Sequence, residues 1–515
     1  MIYLTITLSM LSGAFYVTGF APFNLWFAPI VSILIMMMLL NKKNHWEGGL
    51  IGLFFGIGLM GVGISWIYNS ISTYSSATNE QAALVTAFFC FVMALFYAVH
   101  GYIYCWFNFS KRSIFVFFDS STSMRVLSFS LLWILLELIR SHLYVGFPWL
   151  LLGNAMIETY LAPWAPIGGG FLVGLWVCLT AACVYHALKL LPSIYVRRHQ
   201  YKLLGLVFIA LLPWAIGSRF IDYNWTQETR QLSVTVVQGN IPQEQKWDPN
   251  FADEIIGRYR DSTFINLNKE LIVWPEAATP YVYPQGGQVH NDINERLKIN
   301  GVKLVYGGLR SEPNSAVYNS IFVAGEHDEI QKVYDKNILV PFGEFIPFTS
   351  LGKYIPGLFN DIDMTAFITK AGDKPQPFAV GDLMISPSIC YEIAHGEYIS
   401  KLSRNSNLLI SISNDAWFGN SLGPHQHMHA ARMRALENQL YLIRASNNGV
   451  SGIVNDRGII VAQIPQFQYD TLTHDVAIRR GSTPYQTVGD LPVWAVSIGG
   501  LWLCLWRRKR LINKV

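Results

Sequence analysis

Seven apolar runs occupy the first part of the chain, and an eighth lies close to its end. Most of the seven approach the roughly 20 residues that a helix needs to cross a bilayer. The eighth, Leu491 to Trp506, is shorter and is followed by a basic cluster. This pattern predicts eight crossings, with seven or nine as alternatives. The first seven runs lie at about 3–20, 24–40, 48–68, 83–107, 127–145, 165–188 and 203–220.

Lysine and arginine occur in alternate loops between these runs, which indicates the orientation of the chain. The loops at 70–81 and 146–166 contain neither residue type. Because cytoplasmic loops carry the positive excess, we expect both termini in the cytoplasm and the section from about 224 to 490 on the outer side. The basic residues on which this rests are Lys42, Lys43, Lys111, Arg112, Arg125, Arg197, Arg198, Lys202, Arg507, Arg508, Lys509 and Arg510.

The long polar section alternates short apolar stretches with helical patterns. Continuous apolar stretches bounded by polar residues, glycine or proline are typical of strands buried on both faces. Strands that alternate with helices predict a layered α/β domain. The predicted strands are Leu232–Val237, Leu271–Trp274, Leu304–Tyr306, Leu383–Ile385, Leu408–Ser413 and Ile459–Ile464, and the predicted helices are Phe251–Tyr259, Asp292–Ile299 and Met428–Leu442.

Composition agrees with a membrane protein that carries a polar domain. Of 515 residues, 51% are hydrophobic and only 14% are charged, whereas soluble domains carry about 25% charged residues. A net charge of +4 is too small to indicate a nucleic-acid partner. Six cysteines in so long a chain do not indicate a disulfide scaffold. Phosphate-loop, CxxC and HExxH motifs are absent from the sequence.

Cys390 is the one cysteine of the polar section. A free cysteine is often a buried structural residue, and that interpretation stands beside a reactive one. Two other ionisable residues lie close to predicted strands of the same section: Glu276 after Trp274-Pro275, and Lys336 ahead of a Pro-Phe-Gly-Glu turn. A thiol that attacks an acyl group needs a base and a donor for the oxyanion. The three residues supply these roles if the fold brings them together.

Three motifs resemble the Glu-Lys-Cys pattern of the nitrilase superfamily: Trp274-Pro275-Glu276, Lys336 before Pro341-Phe342-Gly343-Glu344, and Cys390-Tyr391-Glu392. Three more are similar to the apolipoprotein N-acyltransferase family, namely Gln238-Gly239-Asn240-Ile241-Pro242, Ser413-Asn414-Asp415-Ala416-Trp417-Phe418-Gly419 and Ala431-Arg432-Met433-Arg434-Ala435-Leu436-Glu437. The order of apolar runs and polar section agrees as well, so the resemblance covers essentially the whole chain.

The resemblance implies a nitrilase-like α-β-β-α sandwich on an eight-helix transmembrane bundle. It implies a transmembrane domain of seven helices at 1–223, an extracytoplasmic catalytic domain at 224–487, and a closing helix with a basic cytoplasmic tail at 488–515. The membrane would be the bacterial inner membrane, with the catalytic domain on its periplasmic side. Neither a cofactor nor a metal is expected.

The resemblance also implies the chemistry. Glu276 would be the general base, Cys390 the nucleophile and Lys336 the cation that stabilises the tetrahedral intermediate. An acyl chain would pass from a phospholipid to the cysteine as a thioester, and then to the α-amino group of the diacylglyceryl-cysteine of an apolipoprotein. The expected partners are the phospholipid donor, the apolipoprotein acceptor and membrane lipids, without nucleic acid, and we expect a monomer.

Five further residues are candidates for support or substrate binding, each with a structural alternative. Glu344 and Glu392 could orient the lysine or the incoming amine, or be ordinary salt-bridged carboxylates. The backbone N–H of Tyr391 is a candidate oxyanion donor, although its ring could serve packing alone. Trp247 resembles a family position on a loop near the site, or is an interfacial anchor. Trp417 lies in a loop suited to covering an acyl chain, or packs in the core.

Two other groups of polar residues have both a functional and a structural interpretation. His425, His427 and His429 alternate as on a strand, but a helical pattern begins among them and would align only the first and third. A metal site is therefore not expected. Glu137 and Arg140 are charges inside an apolar run, where ionisable groups are usually functional. Their i, i+3 spacing also permits a structural pair, and contact with a lipid headgroup is a further alternative.

Two other functions are open on the sequence. A membrane-tethered amidase of the nitrilase type would use the same three residues and release its thioester to water. A transporter or receptor, whose outer domain only binds ligand, is disfavoured by the Glu-Lys-Cys set and by the scarcity of charges in the apolar runs.

Overall fold

A computed structural model describes residues 2–108, 120–285, 287–313, 316–345 and 369–512. The chain divides into two compact units. The helical unit comprises Met1–Tyr68, Ala77–Tyr223 and Val488–Val515, and the sheet unit comprises Asn69–Ser76 and Asn224–Thr487. The basic residues Lys111 and Arg112 lie outside the described residues.

The helices and strands of the described residues are as follows. The helices are α1 Ile2–Tyr16, α2 Phe27–Leu40, α3 His45–Gly63, α4 Ile67–Tyr74, α5 Asn79–Asn108, α6 Ser120–His142, α7 Ala165–Leu190, α8 Arg197–Phe220, α9 Ala252–Ile265, α10 Gly287–Asn300, α11 Gly396–Leu402, α12 Gly423–Asn438, α13 Pro484–Val488 and α14 Leu491–Ile512. The strands are β1 Thr226–Gln238, β2 Leu271–Val273, β3 Val282–Tyr283, β4 Lys303–Ser311, β5 Val317–Ala324, β6 Gln331–Asp335, β7 Phe378–Val380, β8 Leu383–Ile389, β9 Leu408–Ser413, β10 Leu442–Ser446, β11 Ser451–Val454, β12 Ile460–Ile464 and β13 Asp470–Gly481.

The helical unit is built from long apolar helices. Within the described residues, six helices are long and apolar enough to cross a membrane. Two more, Phe27–Leu40 and Leu491–Arg507, are apolar but shorter. Each apolar run of the sequence therefore corresponds to a helix, while the count of eight crossings stays a prediction.

Glycine allows α3 and α5 to approach each other closely. A Cβ added at Gly52 would lie 2.0 Å from the carbonyl oxygen of Tyr97, and one added at Gly48 would lie 2.5 Å from that of Gly101. Between helices in lipid, van der Waals packing at small residues replaces the hydrophobic effect as the main attraction. This helix pair therefore depends on the absence of side chains at these positions.

Glu137 and Arg140 are both buried on α6. A carboxylate oxygen of Glu137 accepts a hydrogen bond from the backbone N–H of Leu152 at 3.2 Å. The Arg140 guanidinium donates to the carbonyl oxygens of Phe147 and Trp149 at 2.9 and 2.8 Å. Both side chains thus satisfy backbone groups of the segment that follows α6, which favours the structural interpretation of these charges.

The sheet unit contains two sheets in its described part. The first has the strand order β13-β1-β2-β4-β5-β6, with β3 paired to β4, and the second has the order β12-β11-β10-β9-β8-β7. One hydrophobic cluster contains buried residues of both sheets. A second packs α9 and α10 against the first sheet, and a third packs α11 and α12 against the second.

Alternation along single strands explains these separate clusters. On β1, Val234 and Val236 belong to the cluster shared by the sheets, whereas Val237 belongs to the cluster that includes α9. Successive side chains of a strand point to opposite faces, so both faces of β1 are apolar. The six predicted strands all fall on observed strands, with Trp274 and Ile459 just outside them.

The predicted helix Met428–Leu442 is wrong at both ends. The helix α12 begins at Gly423 and ends at Asn438, after which Gln439 has a left-handed φ of 46°. Leu442 instead begins β10, which pairs in parallel with β9. Apolar residues continue across the break, and periodicity alone does not distinguish a buried strand from a buried helix.

Replacing Gly52 by alanine should destabilise the helical unit, because the new methyl group would displace the backbone of α5. We expect a loss of about 1–3 kcal/mol, the usual cost of overpacking. Gly61 is the matched control, since it lies on the same helix with no atom within 4 Å of an added Cβ. Thermal unfolding of the purified protein in detergent measures both variants, and equal midpoints would contradict the close approach.

Candidate active site

Cys390 stands at a sharp turn at the end of a buried strand. The strand β8 ends at Ile389, and a short 3₁₀ helix begins at Cys390 and ends at Ala394. The cysteine has a φ of 51°, a conformation that residues with a side chain adopt rarely. Its side chain is buried, with 8% of the residue exposed. Backbone strain of this kind persists only where the surrounding structure enforces it.

Glu276 follows β2 and is buried. One of its carboxylate oxygens accepts a hydrogen bond from the Asn319 side-chain amide at 2.6 Å, and the other accepts from the backbone N–H of Asn414 at 2.7 Å. Gly307 of β4 makes room for this turn, since a Cβ there would lie 2.7 Å from the Glu276 Cα. The two donors fix the orientation of the carboxylate.

Lys336 follows β6 and is almost fully buried. Its Nζ lies 2.9 Å from both carboxylate oxygens of Glu344 and 3.6 Å from Oε1 of Glu276. Burial alone would lower the pKa of this ammonium, but the two carboxylates together raise the pKa above its usual value. Lys336 therefore carries a positive charge at every physiological pH.

The surroundings of Cys390 favour its neutral form, whereas those of Lys336 favour the charged form. Burial raises its pKa well above the usual value, the Glu276 carboxylate raises it further, and Lys336 opposes both. The resting group is thus a thiol, which needs a base to become a nucleophile. The structure brings Glu276, Lys336 and Cys390 into one electrostatically coupled group.

Glu392 joins the turn that carries the lysine to the turn that carries the cysteine. Its Oε1 accepts hydrogen bonds from the backbone N–H groups of Asn337 and Ile338 at 2.6 and 3.0 Å, and from the Tyr334 hydroxyl at 2.8 Å. Its Oε2 accepts from the N–H of Ile389 at 2.8 Å. Burial raises its pKa, although these N–H donors oppose the shift. In each of these hydrogen bonds the Glu392 carboxylate is the acceptor.

The other sequence candidates lie around this group at different depths. Glu344 also accepts from the backbone N–H of Val340 at 2.8 Å. The ring of Tyr391 meets that of His395 edge to face, with centroids 5.0 Å apart. Trp247 is half-buried in the turn after β1, beside Lys246.

A segment distant in sequence holds the loop of Trp417. The side chains of Asn69 and Ser70 donate to the carbonyl oxygens of Phe418 and Trp417 at 3.2 and 2.7 Å. The Tyr74 hydroxyl donates to the Ala416 carbonyl at 3.1 Å, and its ring meets the indole of Trp417 edge to face. Asn69–Ser76, which we call the strap, therefore belongs to the sheet unit, although the sequence predicted a loop between two crossings there.

Lys246 is a site residue that the sequence did not indicate. It is 2% exposed, and its Nζ donates to the backbone carbonyl of Glu276 at 3.0 Å. Burial lowers its pKa to about 8, although the charge of Glu276 opposes the shift. Asn319 was missed as well. Neither residue type is unusual in a polar section, so only its position in the fold reveals its contact with Glu276.

The sheet unit thus has two sheets joined by one core, with a strained cysteine at the end of the buried strand β8. The carbon-nitrogen hydrolase family model matches residues 233–484. Residues 12–183 match the model of the apolipoprotein N-acyltransferase N-terminal domain.

Curated relatives specify the family further. The apolipoprotein N-acyltransferase of Pseudomonas aeruginosa is 36% identical over 519 residues, which cover 98% of this chain and 96% of the relative. That of Photobacterium profundum is 34% identical over 507 residues, covering 97% and 94%. The chain belongs to the apolipoprotein N-acyltransferase family, and with six long apolar helices in its described part it is a multi-pass membrane protein.

Solved structures are similar to about half of this chain at low identity. Nit3 of Saccharomyces cerevisiae, a member of branch 10 of the nitrilase superfamily, is 18% identical with a TM-score of 0.37, covering 48% of this chain and 91% of that one. An amidase from a Nesterenkonia species is 15% identical with a TM-score of 0.32, covering 50% and 93%.

Replacing Glu392 by glutamine should destabilise the sheet unit. The amide nitrogen would face an N–H or hydroxyl donor, so at least one buried hydrogen bond is lost, at a cost of about 1–3 kcal/mol. Glu329→Gln, at an exposed position, is the control for the loss of one charge. Unfolding of the purified variants measures the effect, and an E392Q midpoint equal to that of the control would refute the linking role.

Replacing Lys246 by methionine should change how stability depends on pH. The pKa of about 8 in the folded chain lies below the 10.5 of an ordinary lysine. Between these pH values the unfolded chain binds more protons, so the unfolding free energy of the wild type should rise with pH. Relative to K246M, the rise should be about 3 kcal/mol.

Lys303→Met is the matched control for this pH series, because Lys303 also donates to a backbone carbonyl, that of Gly325, at 2.9 Å. Any general effect of removing a lysine that bonds a backbone carbonyl appears in both variants and can be subtracted. Parallel pH profiles for the wild type and K246M would show that Lys246 is charged as an ordinary lysine.

Proposed function

We propose that this protein transfers an acyl chain from a membrane phospholipid to the N-terminal amine of diacylglyceryl-cysteine in apolipoproteins. One observation carries the proposal: the buried Lys336 ammonium lies within ionic reach of Glu276 and Glu344, in a group coupled to the Cys390 thiol. Family membership and the apolar helices support lipid substrates. The reaction needs no cofactor.

In the first half-reaction Cys390 becomes acylated. Glu276 takes the thiol proton as sulfur attacks the ester carbonyl of the phospholipid, and the carbonyl π pair moves onto oxygen. Lys336 and the Tyr391 N–H stabilise that oxyanion. The intermediate then collapses, the ester C–O bond breaks, and the lysophospholipid alkoxide takes the proton from Glu276. General base catalysis contributes roughly 10²–10⁴-fold, and one oxyanion donor about 3–4 kcal/mol.

In the second half-reaction the acyl chain moves to nitrogen. The neutral α-amine of the acceptor attacks the thioester carbonyl, a second oxyanion forms at the same position, and the C–S bond breaks. The amine proton passes to Glu276 and then to the departing thiolate, so the site returns to its resting protonation state. A thioester suits this sequence because it is stable enough to persist and reactive enough for an amine to open.

The supporting residues have roles that follow from their positions. Glu344, which contacts Lys336 on a second side, would hold the ammonium and steer the incoming amine. Glu392 would keep the lysine and cysteine turns in register. Trp417, whose loop is bound by the strap, would cover the acyl chain, and Trp247 would line the site from the turn after β1.

The proposal includes the membrane arrangement. The transmembrane domain would comprise residues 1–223 with seven crossings, the catalytic domain residues 224–487 as an α-β-β-α sandwich, and the closing crossing and tail residues 488–515. The six long and two shorter apolar helices found among the described residues support eight crossings. The alternation of basic loops supports a periplasmic catalytic domain, with both termini in the cytoplasm of a monomer in the bacterial inner membrane.

A second candidate is a membrane-tethered hydrolase that gives its thioester to water. The carbon-nitrogen hydrolase model over residues 233–484 favours it. The two candidates share the acylation step and differ only in the acceptor. Release of free fatty acid without an added amine, and no transfer to a diacylated lipopeptide, would select the hydrolase.

Incubating the purified protein with a phospholipid of defined acyl chains should give an acyl-enzyme by intact mass spectrometry, and a diacylated lipopeptide with a free amine should discharge it. Cys390→Ala should abolish the adduct. Glu276→Gln should slow its formation by roughly 10²–10⁴-fold, because the base is lost.

Cys183→Ala is the control, since it removes a buried cysteine of the helical unit and should acylate as the wild type does. An adduct that persists in C390A would refute the assignment of the nucleophile. A wild-type protein that forms no adduct with any phospholipid would refute the proposed donor.

A further inference from the structure

Three buried polar residues lie behind the cysteine turn, and the proposed steps do not use them. Asp415 begins a 3₁₀ helix after β9, His427 is on α12, and Arg444 is on β10. None is more than 2% exposed. The guanidinium of Arg444 donates to Oδ2 of Asp415 at 2.9 Å, and the imidazole Nδ1 of His427 lies 3.0 Å from Oδ1. The cluster joins three elements in the interior of the sheet unit.

The imidazole connects this cluster to the nucleophile's own backbone. Nε2 of His427 lies 3.0 Å from the carbonyl oxygen of Cys390. Because a carbonyl oxygen only accepts, Nε2 must carry a proton whether the ring is neutral or charged. The other ring nitrogen, Nδ1, lies 3.0 Å from Oδ1 of Asp415 and 3.0 Å from Nη2 of Arg444. A neutral ring accepts from Arg444 there and a charged ring donates to Asp415, so one hydrogen bond holds Nδ1 in either state. The Nε2 N–H of His427 therefore points at the Cys390 carbonyl oxygen.

Asp415 and Arg444 form a buried ion pair behind the histidine, and removing both charges from water costs free energy. Burial alone would raise the pKa of the Asp415 carboxyl, but Arg444 and His427 lower it below its usual value, so it is ionised. Buried ion pairs commonly contribute little net stability. Arg444 also donates to the Ser413 hydroxyl at 3.0 Å. The arrangement therefore fixes geometry more than it adds stability.

The bond at the Cys390 carbonyl also determines where the next N–H points. The peptide unit between Cys390 and Tyr391 is planar and trans, so its C=O and N–H point in opposite directions. Holding the carbonyl towards α12 turns the Tyr391 N–H away from α12. Without that bond, the left-handed φ of 51° at Cys390 could relax towards a commoner conformation.

We propose that His427, held by Asp415 and Arg444, is a positioning residue that aims the Tyr391 N–H at the oxyanion formed on the acyl carbonyl. The inference rests on the proposed function and adds the residue that orients its backbone donor. A hydrogen bond accepted by the Cys390 carbonyl also polarises the peptide, which strengthens the N–H as a donor. His427 itself touches neither substrate nor sulfur.

The test compares two reactions of Cys390 that differ in the need for an oxyanion site. Acylation by p-nitrophenyl butyrate forms an oxyanion and is followed by the burst of p-nitrophenolate. Alkylation by iodoacetamide displaces iodide at a saturated carbon, forms no oxyanion, and is followed by the mass of the peptide containing Cys390. Both reactions need the same thiol in the same turn.

In His427→Leu, acylation should fall by roughly 10- to 100-fold, the cost of a misplaced donor, while alkylation stays within about 3-fold of the wild type, well below that loss. His427→Gln keeps an N–H donor in reach of the carbonyl and should recover most of the acylation rate. His425→Leu is the matched control, two residues earlier on α12 and half-buried, and should leave both rates unchanged.

Two results would overturn the inference. Equal losses in acylation and alkylation in H427L would show that the ring only supports the fold of the turn. Unchanged acylation in H427L would show that the Tyr391 N–H does not need the hydrogen bond from His427 to the Cys390 carbonyl. The activated ester requires no lipid, so a wild type that gives a burst but no phospholipid adduct would refute the proposed function and leave this comparison valid.

Discussion

The buried ammonium of Lys336 between two carboxylates is the constraint on which the site depends. Moving an unpaired charge of this kind from water into the protein would cost several kcal/mol. Glu276 and Glu344 compensate it, but two carboxylates leave one negative charge in excess. N–H donors stabilise that excess, and they come from separate elements of both sheets: Asn319 on β5, Asn414 after β9 and Val340 after β6. The electrostatic balance therefore holds only when the two sheets are packed together.

The strained turn at Cys390 is stabilised in a similar way. Glu392 binds the N–H of Ile389 on one side of the cysteine, and His427 binds its carbonyl on the other. Both anchors are buried polar groups that themselves depend on distant residues. The backbone of Cys390 is thus held on both sides by other residues, and its thiol makes no contribution to these two hydrogen bonds.

The strongest apolar patterns predicted the fold well, and weaker ones did not. Leu408–Ser413 is β9 without change, because a fully buried strand is apolar on both faces. The strand β5 contains Tyr318, Asn319 and Ser320 and was missed, since these polar residues interrupt its apolar run. The motifs indicated the Glu-Lys-Cys group. They did not indicate Lys246 or His427, because each acts on a backbone oxygen of a residue at least 30 positions away, and such proximity is created only by tertiary packing.

The strap determines which parts of the chain are needed to form the complete sheet unit. Its hydrogen bonds join residues 342 to 349 positions apart, so the unit is discontinuous along the chain. A fragment that begins at Asn224 would contain every residue of the Glu-Lys-Cys group, but would leave the carbonyls of Ala416, Trp417 and Phe418 without these donors. Contacts of such long range carry a large loop-closure entropy, which slows their formation. The sheet unit therefore becomes complete only after the ribosome has made most of the protein, and no single excised gene segment after residue 223 encodes all of it.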